Sequence, residues 1–502
     1  MSTSKIATDE YVEDKKVRTK KIRRVDVEWE GSRMVLPVGM DYTEAIKALK
    51  KRQEQDEQTV KFSSVIKAFP SDGAVALQKA LRQKYGWVNL EPKQSWWGPE
   101  KPELIPVDIS YDEAIQVPWG NFTVPNISGR LSTDWENHDG LPQFVIRASI
   151  RRADQKIFEE IVDLTKQIVS QDSIYKGQAI KLSFRDDDGD LVTFSPEFCP
   201  KFMDLKAFDP TELVLPQDAA DGIQINLWNP IVHSDFCRLN KMPLKRGVLL
   251  EGGFGTGKTL TAFQTAQLCV DNGWTFILLD DVRDIHQALS FARFYEPCVI
   301  FAEDVDKAVS GSRTNEVNRI FNTIDGIESK GHEIMTVLTT NLVGNINPGF
   351  IRPGRIDAVI TVGPPDDQAI VRLVRRYCQD RNRNPMVDES VTDEEIVEAM
   401  APVKGANAAF IREVVERSKL AAISHCDGAI AIKAEDLSKA AKSMISHLNL
   451  VDPSRAQAKE EENVMESAIE EITARFADSF VDCLVDPSSL KRLSRKAQKS
   501  IK

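Results

Sequence analysis

The sequence of 502 residues lacks several features that mark specialised classes of protein. It has no run of about 18 uninterrupted apolar residues, so we expect no membrane-spanning helix. Its N-terminal segment, MSTSKIATDEYVEDKK, has no apolar centre and does not predict a secretory signal. The 7 cysteines are widely spaced and include no CxxC pair, which predicts neither a disulfide framework nor a zinc site. We therefore expect a cytoplasmic protein with no membrane partner.

An excess of positive charge is also missing. Lys and Arg number 65 against 76 Asp and Glu, for a formal net charge of −11. This balance argues against a general nucleic-acid coat, although a local basic groove remains possible. Hydrophobic residues make up 42% and charged residues 28%, as in ordinary globular proteins. The length predicts two to four domains.

Changes of pattern along the chain predict five segments. Residues 1–24 are polar and basic and predict a disordered arm. Residues 25–205 predict an α+β region of no recognised family. Apolar runs alternate with helical segments over 206–365, which indicates a parallel α/β sheet. Residues 366–450 are mostly helical, and 451–502 predict an amphipathic C-terminal helix followed by a basic tail.

Local patterns predict several elements inside the N-terminal region. Alternating residues around Gly31 indicate a β-hairpin. Helices are expected at about 42–57 and, beginning at Ser71 and Asp72, at about 72–85. QFVIRASIR (143–151) alternates like a strand, and GQAIKLSF (177–184) predicts another.

One motif carries the strongest chemical signal. GVLL (247–250) predicts a buried strand, GGFGTGKT (252–259) follows it, and LTAFQTAQLCV continues as a helix. This is the phosphate-binding loop in its required context of strand, loop and helix. Glycines allow backbone N–H groups to converge on phosphate oxygens, Lys258 can reach the β- and γ-phosphates, and the Thr259 hydroxyl can ligate Mg²⁺. We expect the nucleotide to contact Gly252, Gly253, Phe254, Gly255, Thr256, Gly257, Lys258, Thr259 and Leu260.

Polar residues at the ends of two later strands complete the expected site. CVIFAEDVD (298–306) ends an apolar run in Glu303 and Asp304. One carboxylate could hold the metal and the other could orient or deprotonate the attacking water. Asn341 ends another apolar strand, where its amide could position that water. Arg352 and Arg355 follow, and we expect them to act as arginine fingers on the ATP of a neighbouring subunit.

At these residues the sequence resembles the AAA family of ring-forming ATPases, over roughly 223–445. NEVNRIFNTIDG (315–326) through RPGRID (352–357) is similar to that family's second homology region. The resemblance implies a RecA-like αβα P-loop ATPase domain with a small helical lid, ATP and Mg²⁺ as ligands, and a homo-oligomer, usually a hexameric ring. KGANAAFIREVVERSKLAA (404–422) takes the place of the family's Gly-Ala-Asp segment. Like that segment, it offers no obvious arginine for the bound phosphates.

Two departures from the family pattern affect the expected activity. The family normally ends its acidic strand in Asp-Glu, whereas this chain has Glu303-Asp304. We assign Glu303 to the metal and Asp304 to the water and expect slow hydrolysis; the alternative, in which Asp304 does both, stays open. Only DDVRD (280–284) stands where the family has a longer pore loop with an aromatic residue. Hand-over-hand threading of a polypeptide is therefore not expected.

Three functions are compatible with these patterns. The leading one is an ATP-hydrolysing ring ATPase that remodels or moves a partner, most simply a protein, chosen by the N-terminal region. The second is an assembly scaffold that binds ATP and turns it over slowly. The third is a nucleic-acid-associated ATPase, which the basic termini suggest and the acidic total disfavours.

Overall fold

The structure is a computed structural model. It describes residues 7–9, 23–29, 32–37, 42–86, 89–91, 93–95, 98–100, 104–138, 140–185, 200–305, 331–341, 355–425 and 430–451. None of the helices in these ranges combines the length and apolar character that crossing a bilayer requires.

In its described residues, the N-terminal region consists of antiparallel sheets and three α-helices. Its strands and helices are β1 (Ala7–Asp9), β2 (Arg23–Trp29), β3 (Ser32–Pro37), α1 (Tyr42–Glu57), β4 (Thr59–Ile66), α2 (Pro70–Tyr85), β5 (Asn89–Leu90), β6 (Lys93–Ser95), β7 (Gly98–Glu100), β8 (Leu104–Asp108), β9 (Ala114–Pro118), β10 (Asn121–Thr123), β11 (Gly129–His138), β12 (Leu141–Arg151) and α3 (Gln155–Gln171). A five-stranded sheet has the order β4-β12-β11-β10-β5. The α+β architecture, the helix at 42–57 and the strand at 143–151 are as the sequence predicted.

Two local predictions in this region need correction. Residues 1–24 were expected to be a disordered arm, but β1 lies within it and pairs antiparallel with β2. Backbone hydrogen bonding to the following hairpin gives this short segment its order; residues 1–6 and 10–22 lie outside the described ranges. Helix α2 begins at Pro70 rather than near Asp72, and Phe69 occupies the N-cap position without a capping hydrogen bond from its side chain. Proline suits the first helical position because its missing N–H would have no partner there.

The central feature of the molecule is a seven-stranded sheet. Its remaining strands and the helices around it are β13 (Ala179–Leu182), β14 (Lys201–Phe202), α4 (Gln217–Ile223), α5 (Asn229–Val232), α6 (Ser234–Leu239), β15 (Arg246–Glu251), α7 (Lys258–Asp271), β16 (Thr275–Leu279), α8 (Ile285–Ala292), β17 (Cys298–Ala302), β18 (Ile334–Thr340) and β19 (Ala358–Thr361). The strand order is β14-β13-β16-β17-β18-β15-β19, with every pair except β13–β14 parallel. The predicted α/β core is thereby confirmed.

The predicted boundary at residue 205 is wrong. Strand β13, from the segment assigned to the N-terminal region, pairs in parallel with β16 from Ala179↔Phe276 to Leu182↔Leu279. The pattern of 177–184 identified the strand but not its partner, which lies nearly a hundred residues later in the chain. The seven-stranded sheet therefore takes two of its strands, β13 and β14, from residues before 206.

Both faces of this sheet are buried, which explains the uninterrupted apolar strands. Ile300 of β17 faces a core that continues without a break into the N-terminal region, where it includes Phe144 and Phe158. Phe301 faces the other way, into a core shared with Trp274 and helix α7. The N-terminal region and the large α/β domain thus share one hydrophobic core.

A polar cluster is buried at their junction. The Asp72 carboxylate, 1% exposed, accepts hydrogen bonds from the Ser173 hydroxyl at 2.9 Å and the Ile174 amide at 3.0 Å. The Tyr295 hydroxyl, from the segment after α8, accepts a hydrogen bond from the Phe69 amide at 3.0 Å. Burial raises the pKa of Asp72 from its usual 3.8 to about 6.

The last described segment is helical, as predicted for 366–450. It comprises α9 (Asp367–Tyr377), α10 (Asp393–Met400), α11 (Ala408–Ala422), α12 (Ala434–Ser443) and α13 (Ile445–Val451). These helices enclose a core of their own that includes Leu373, Ile411 and Leu437. We refer to this segment as the lid. The amphipathic helix and basic tail predicted for the C-terminus lie outside the described residues, except for Val451, the last residue of α13.

Candidate active site

The loop between β15 and α7 has the backbone geometry that a bound phosphate requires. Gly257 caps helix α7 in a left-handed conformation, with φ of 104°, which a residue with a Cβ rarely adopts. A Cβ at Gly252 would collide with the carbonyl oxygen of Val362. The loop therefore passes close to β19 and then turns its backbone toward the N-terminus of α7, where partial positive charge favours an anion.

Lys258 is drawn into this loop. Its side chain is buried, and its ammonium group donates hydrogen bonds to the carbonyl oxygens of Gly252 at 2.6 Å and Gly253 at 2.9 Å. It donates a further one to Asn341 Oδ1 at 2.9 Å. These three acceptors are neutral oxygens, and a phosphate would offer the ammonium charged ones, which form stronger hydrogen bonds.

Thr259 lies beside the first residue of the acidic pair. Its hydroxyl donates to Glu303 Oε1 at 2.6 Å. A hydroxyl and a carboxylate in contact, next to a phosphate-binding loop, are oxygen ligands of the kind that Mg²⁺ prefers. Thr259 and Glu303 are the two residues that the sequence assigned to the metal.

Asp304 is held on the other side of the site by Asn341. The Asn341 amide donates from Nδ2 to Asp304 Oδ1 at 3.2 Å while its Oδ1 accepts from Lys258. Both residues follow the carboxyl ends of neighbouring parallel strands, where ligands bind in open α/β sheets. The structure therefore brings together Lys258, Thr259, Glu303, Asp304 and Asn341, as the sequence predicted.

A cavity of about 340 Å³ lies between these residues and the lid. Its size is in the range of small-molecule sites. The phosphate loop forms one wall, with Phe254 through Leu260, and the residues before α4 and the lid form the other. Asn407 caps helix α11 and also donates to the carbonyl oxygen of Phe254 at 2.8 Å, which ties the lid to the loop. The residues present fit a nucleoside triphosphate with Mg²⁺: a glycine cradle, a buried ammonium and a hydroxyl–carboxylate pair converge on one cavity.

The lid contributes an arginine that sequence analysis missed. Arg412 lines the cavity, and its guanidinium lies 5.6 Å from the centre of the Tyr377 ring. Segment 404–422 therefore places an arginine at the cavity that was not obvious from the sequence. Only the packing of α11 over the loop reveals it; the one available signal was an arginine one turn into the helix that follows Asn407. Burial raises the pKa of Tyr377 above its ordinary value, so its phenol stays neutral.

Arg355 does not reach this cavity. The Asp357 amide, two residues later, donates to the carbonyl oxygen of Gly247 at 2.7 Å, at the amino end of β15. The phosphate loop leaves the opposite end, roughly 16 Å further along the strand. Arg352, the other predicted finger, lies outside the described residues, as does most of the stretch from 315 to 357.

The short segment at 280–284 is a fixed turn. It includes a 3₁₀ turn, Val282–Asp284, and helix α8 begins directly after it at Ile285, as predicted. Arg185 donates two hydrogen bonds to the Asp284 carboxylate, at 2.9 Å and 2.7 Å. Asp284 is only 1% exposed, and burial raises its pKa above the ordinary value in spite of this arginine.

The fold and site together define the class: a P-loop nucleotide-binding ATPase domain with a helical lid. A family model described as "ATPase family associated with various cellular activities (AAA)" matches residues 248–364, which contain the phosphate loop, Glu303, Asp304 and Asn341. These residues of the chain therefore form an AAA-type ATPase domain.

Relatives show the same similarity over part of the chain. An uncharacterised AAA domain-containing protein of Guillardia theta is 33% identical over 25% of this chain and 27% of its own length. The 26S proteasome regulatory subunit S10B homolog B of Arabidopsis thaliana is 26% identical over 41% of this chain and 53% of its own. A 26S proteasome regulatory subunit 4 homolog of Schizosaccharomyces pombe is 26% identical, over 41% and 48%. The chain thus spans about half or less of the length of these relatives.

Proposed function

We propose that the protein binds ATP with Mg²⁺ in the cavity between sheet and lid and hydrolyses it within a homo-oligomeric ring, a hexamer as is usual for AAA ATPases. The hydrolysis would remodel or move a partner macromolecule, most simply a protein, chosen by the N-terminal region. One observation carries the catalytic part: the Thr259–Glu303 hydrogen bond and the chain of two hydrogen bonds from Lys258 through Asn341 to Asp304 line the same cavity.

The chain's own residues divide the work as follows. Lys258 and the loop amides bind the phosphates and offset their charge. Bound Mg²⁺ would supply further charge neutralisation on the β- and γ-phosphates, held by Thr259 and Glu303. Asp304 orients the attacking water and accepts its proton, and Asn341 keeps that carboxylate beside the γ-phosphate end of the loop.

The predicted arginine fingers belong to the interface between subunits. Arg355 precedes β19 and lies near the amino ends of the β15–β19 pair, away from the phosphate loop, so it is better placed to complete a neighbour's site than its own. Arg352 would act with it. A supplied arginine of this kind is typically worth about 10³–10⁵ in rate.

A slow-turnover assembly scaffold is the second candidate. It is favoured by the fixed, charged turn at 280–284, which Arg185 holds in place and which has no aromatic side chain to grip a polypeptide. The inverted acidic pair points the same way. A nucleic-acid-associated ATPase has no comparable support in the described residues. For the compartment we propose the cytoplasm.

The test of the nucleotide site is Lys258→Ala, with Lys206→Ala as control. Lys206 is an exposed lysine paired with Asp112, away from the cavity. Calorimetric titration with ATP and a turnover assay should show loss of binding or turnover for Lys258→Ala and wild-type behaviour for the control. A cooperative melting transition should show that Lys258→Ala is still folded. Full turnover in the folded Lys258→Ala protein would overturn the assignment. Turnover measured with added DNA, RNA and unfolded protein separates the three functions.

A further inference from the structure

The backbone of Asp304 has an unusual conformation. Its φ is 54°, in the left-handed region, which non-glycine residues seldom occupy outside turns. It stands directly beyond strand β17, whose last paired residue, Ala302, lies opposite Leu338 of β18. The chain therefore leaves the sheet with a sharp change of direction at the carboxylate assigned to the attacking water.

A threonine from the neighbouring strand holds this conformation. The Asp304 amide donates to the side-chain hydroxyl of Thr339 at 2.9 Å instead of continuing the backbone ladder to β18. Thr339 is 1% exposed and lines the cavity. Since an amide shielded from water needs an acceptor, this hydroxyl allows the partly buried Asp304 amide to turn away from the ladder and still be hydrogen-bonded.

The direction of the Asp304 side chain depends on this turn. An aspartate has only one methylene between backbone and carboxylate, so it cannot compensate for a misplaced backbone as a longer glutamate could. Two hydrogen bonds then fix the position of the Asp304 carboxylate. Thr339 accepts from the Asp304 backbone amide, and Asn341 Nδ2 donates to Asp304 Oδ1. We propose that Thr339 is a positioning residue that aims the shorter carboxylate of Asp304 at the water. This inference rests on the proposed function.

The test compares Thr339→Val, which replaces the hydroxyl by a methyl group of similar size, with Thr339→Ser, which keeps the hydroxyl. Thr336→Val is the matched control, since Thr336 is buried in the same strand and does not line the cavity. Turnover is measured over a range of ATP concentrations, and hydrogen exchange of the Asp304 amide is measured without nucleotide. If Thr339→Val does not fold, Thr339→Ala takes its place.

We expect Thr339→Val to lower kcat by at least about tenfold, with KM changed by less than about twofold, because water activation suffers and nucleotide binding does not. Its Asp304 amide should exchange faster. Thr339→Ser should restore both values, and Thr336→Val should resemble the wild type. In an Asp304→Asn background, Thr339→Val should lower the remaining rate no further, since Thr339 acts through that carboxylate.

Unchanged exchange in Thr339→Val would overturn the contact, and unchanged kcat would overturn the positioning role. The positioning role would also be overturned if Thr339→Val lowered kcat in the Asp304→Asn background by the same factor as in the wild type, because Thr339 would then act on the fold in general and not through Asp304. Failure of the proposed function looks different: Lys258→Ala and Asp304→Asn would both retain wild-type turnover, whatever Thr339 does.

Discussion

Glu303 and Asp304 are adjacent in sequence but touch different partners. Glu303 accepts from the Thr259 hydroxyl, whereas Asp304 accepts from the Asn341 amide. We expect Asp304→Asn to bind ATP with Mg²⁺ normally and to lose about 10²-fold or more in turnover, because a general base is removed. Asparagine also tolerates the left-handed backbone, so the change isolates the charge. Glu303→Gln should instead weaken the dependence of ATP binding on Mg²⁺.

The measurements are ATP affinity at increasing Mg²⁺ concentrations and turnover at saturating ATP. The opposite pattern, with metal dependence altered in Asp304→Asn, would mean that the two roles are exchanged. If Asp304→Asn shows both an altered Mg²⁺ dependence and lost turnover, the result would support the alternative in which Asp304 holds the metal and also activates the water.

Arg412 is the residue of the cavity that local sequence did not identify. Its guanidinium lies over the Tyr377 ring on the lid side, opposite the loop. We expect Arg412→Ala to weaken ATP binding more than AMP binding, because a cation on that wall is attracted by the added phosphates. Arg417→Ala is the control, on the same helix, where Arg417 pairs with Glu413 at 3.0 Å. Equal losses for ATP and AMP would place Arg412 near the base instead.

At the scale of elements, the buried Asp72 carboxyl in helix α2 should make the stability of the protein depend on pH. Burial raises the pKa of Asp72 to about 6, so the folded state binds its proton more tightly than the unfolded chain. Between about pH 4 and pH 6 the Asp72 carboxyl is ionised in the unfolded chain but still protonated in the folded state, so the free energy of unfolding falls as pH rises. Above about pH 6 both states have released the proton, and the free energy of unfolding falls no further from this group. A rise of this size corresponds to about 3 kcal/mol in the free energy of unfolding.

Asp72→Asn should remove this pH dependence. The neutral amide can still accept from the Ile174 amide, so we expect it to melt at a higher temperature than the wild type at pH 8 and at a similar temperature near pH 4. Asp154→Asn is a suitable control, as a buried carboxylate elsewhere that accepts from the Ser128 amide at 2.8 Å. If Asp72→Asn melts like the wild type at every pH in this range, the raised pKa of Asp72 would be contradicted.

Elements also show where sequence reasoning succeeds and where it stops. The phosphate loop was predictable because Gly252 to Thr259 carry their chemistry within eight consecutive residues, between a strand and a helix of clear pattern. The partner of β13 was not, since pairing with β16 depends on contacts between distant segments. Arg412 and the Asp304–Thr339 contact required the same tertiary information, and no local pattern marks either.

At the scale of the whole molecule, the ring hypothesis can be tested by mixing variants. Lys258→Ala lacks its own nucleotide site but keeps its arginines, and Arg355→Ala has the opposite defect. If Arg355 acts on a neighbour, mixed rings contain some intact composite sites, and activity should exceed that of either variant alone. Arg352→Ala is expected to behave in the same way.

Subunit exchange must be verified independently, for example by labelling the two variants with different fluorophores. Exchange without recovered turnover would mean that the arginines act within their own chain or that all sites must work together. Full turnover of Arg355→Ala and Arg352→Ala alone would remove the finger assignment altogether.

The strand that crosses the expected domain boundary limits how this chain can be recombined. When a recognition domain is joined to the rest of a protein by a linker, recombination within the linker can replace that domain without disturbing either fold. A cut at residue 205 would instead leave the backbone groups of Phe276–Leu279 as an open sheet edge, and such edges favour aggregation. It would also divide the core that Phe144 and Ile300 share. If the N-terminal region selects the partner as proposed, partner choice and ATP hydrolysis are expected to be inherited together, and altered specificity to arise by substitution within the N-terminal surface.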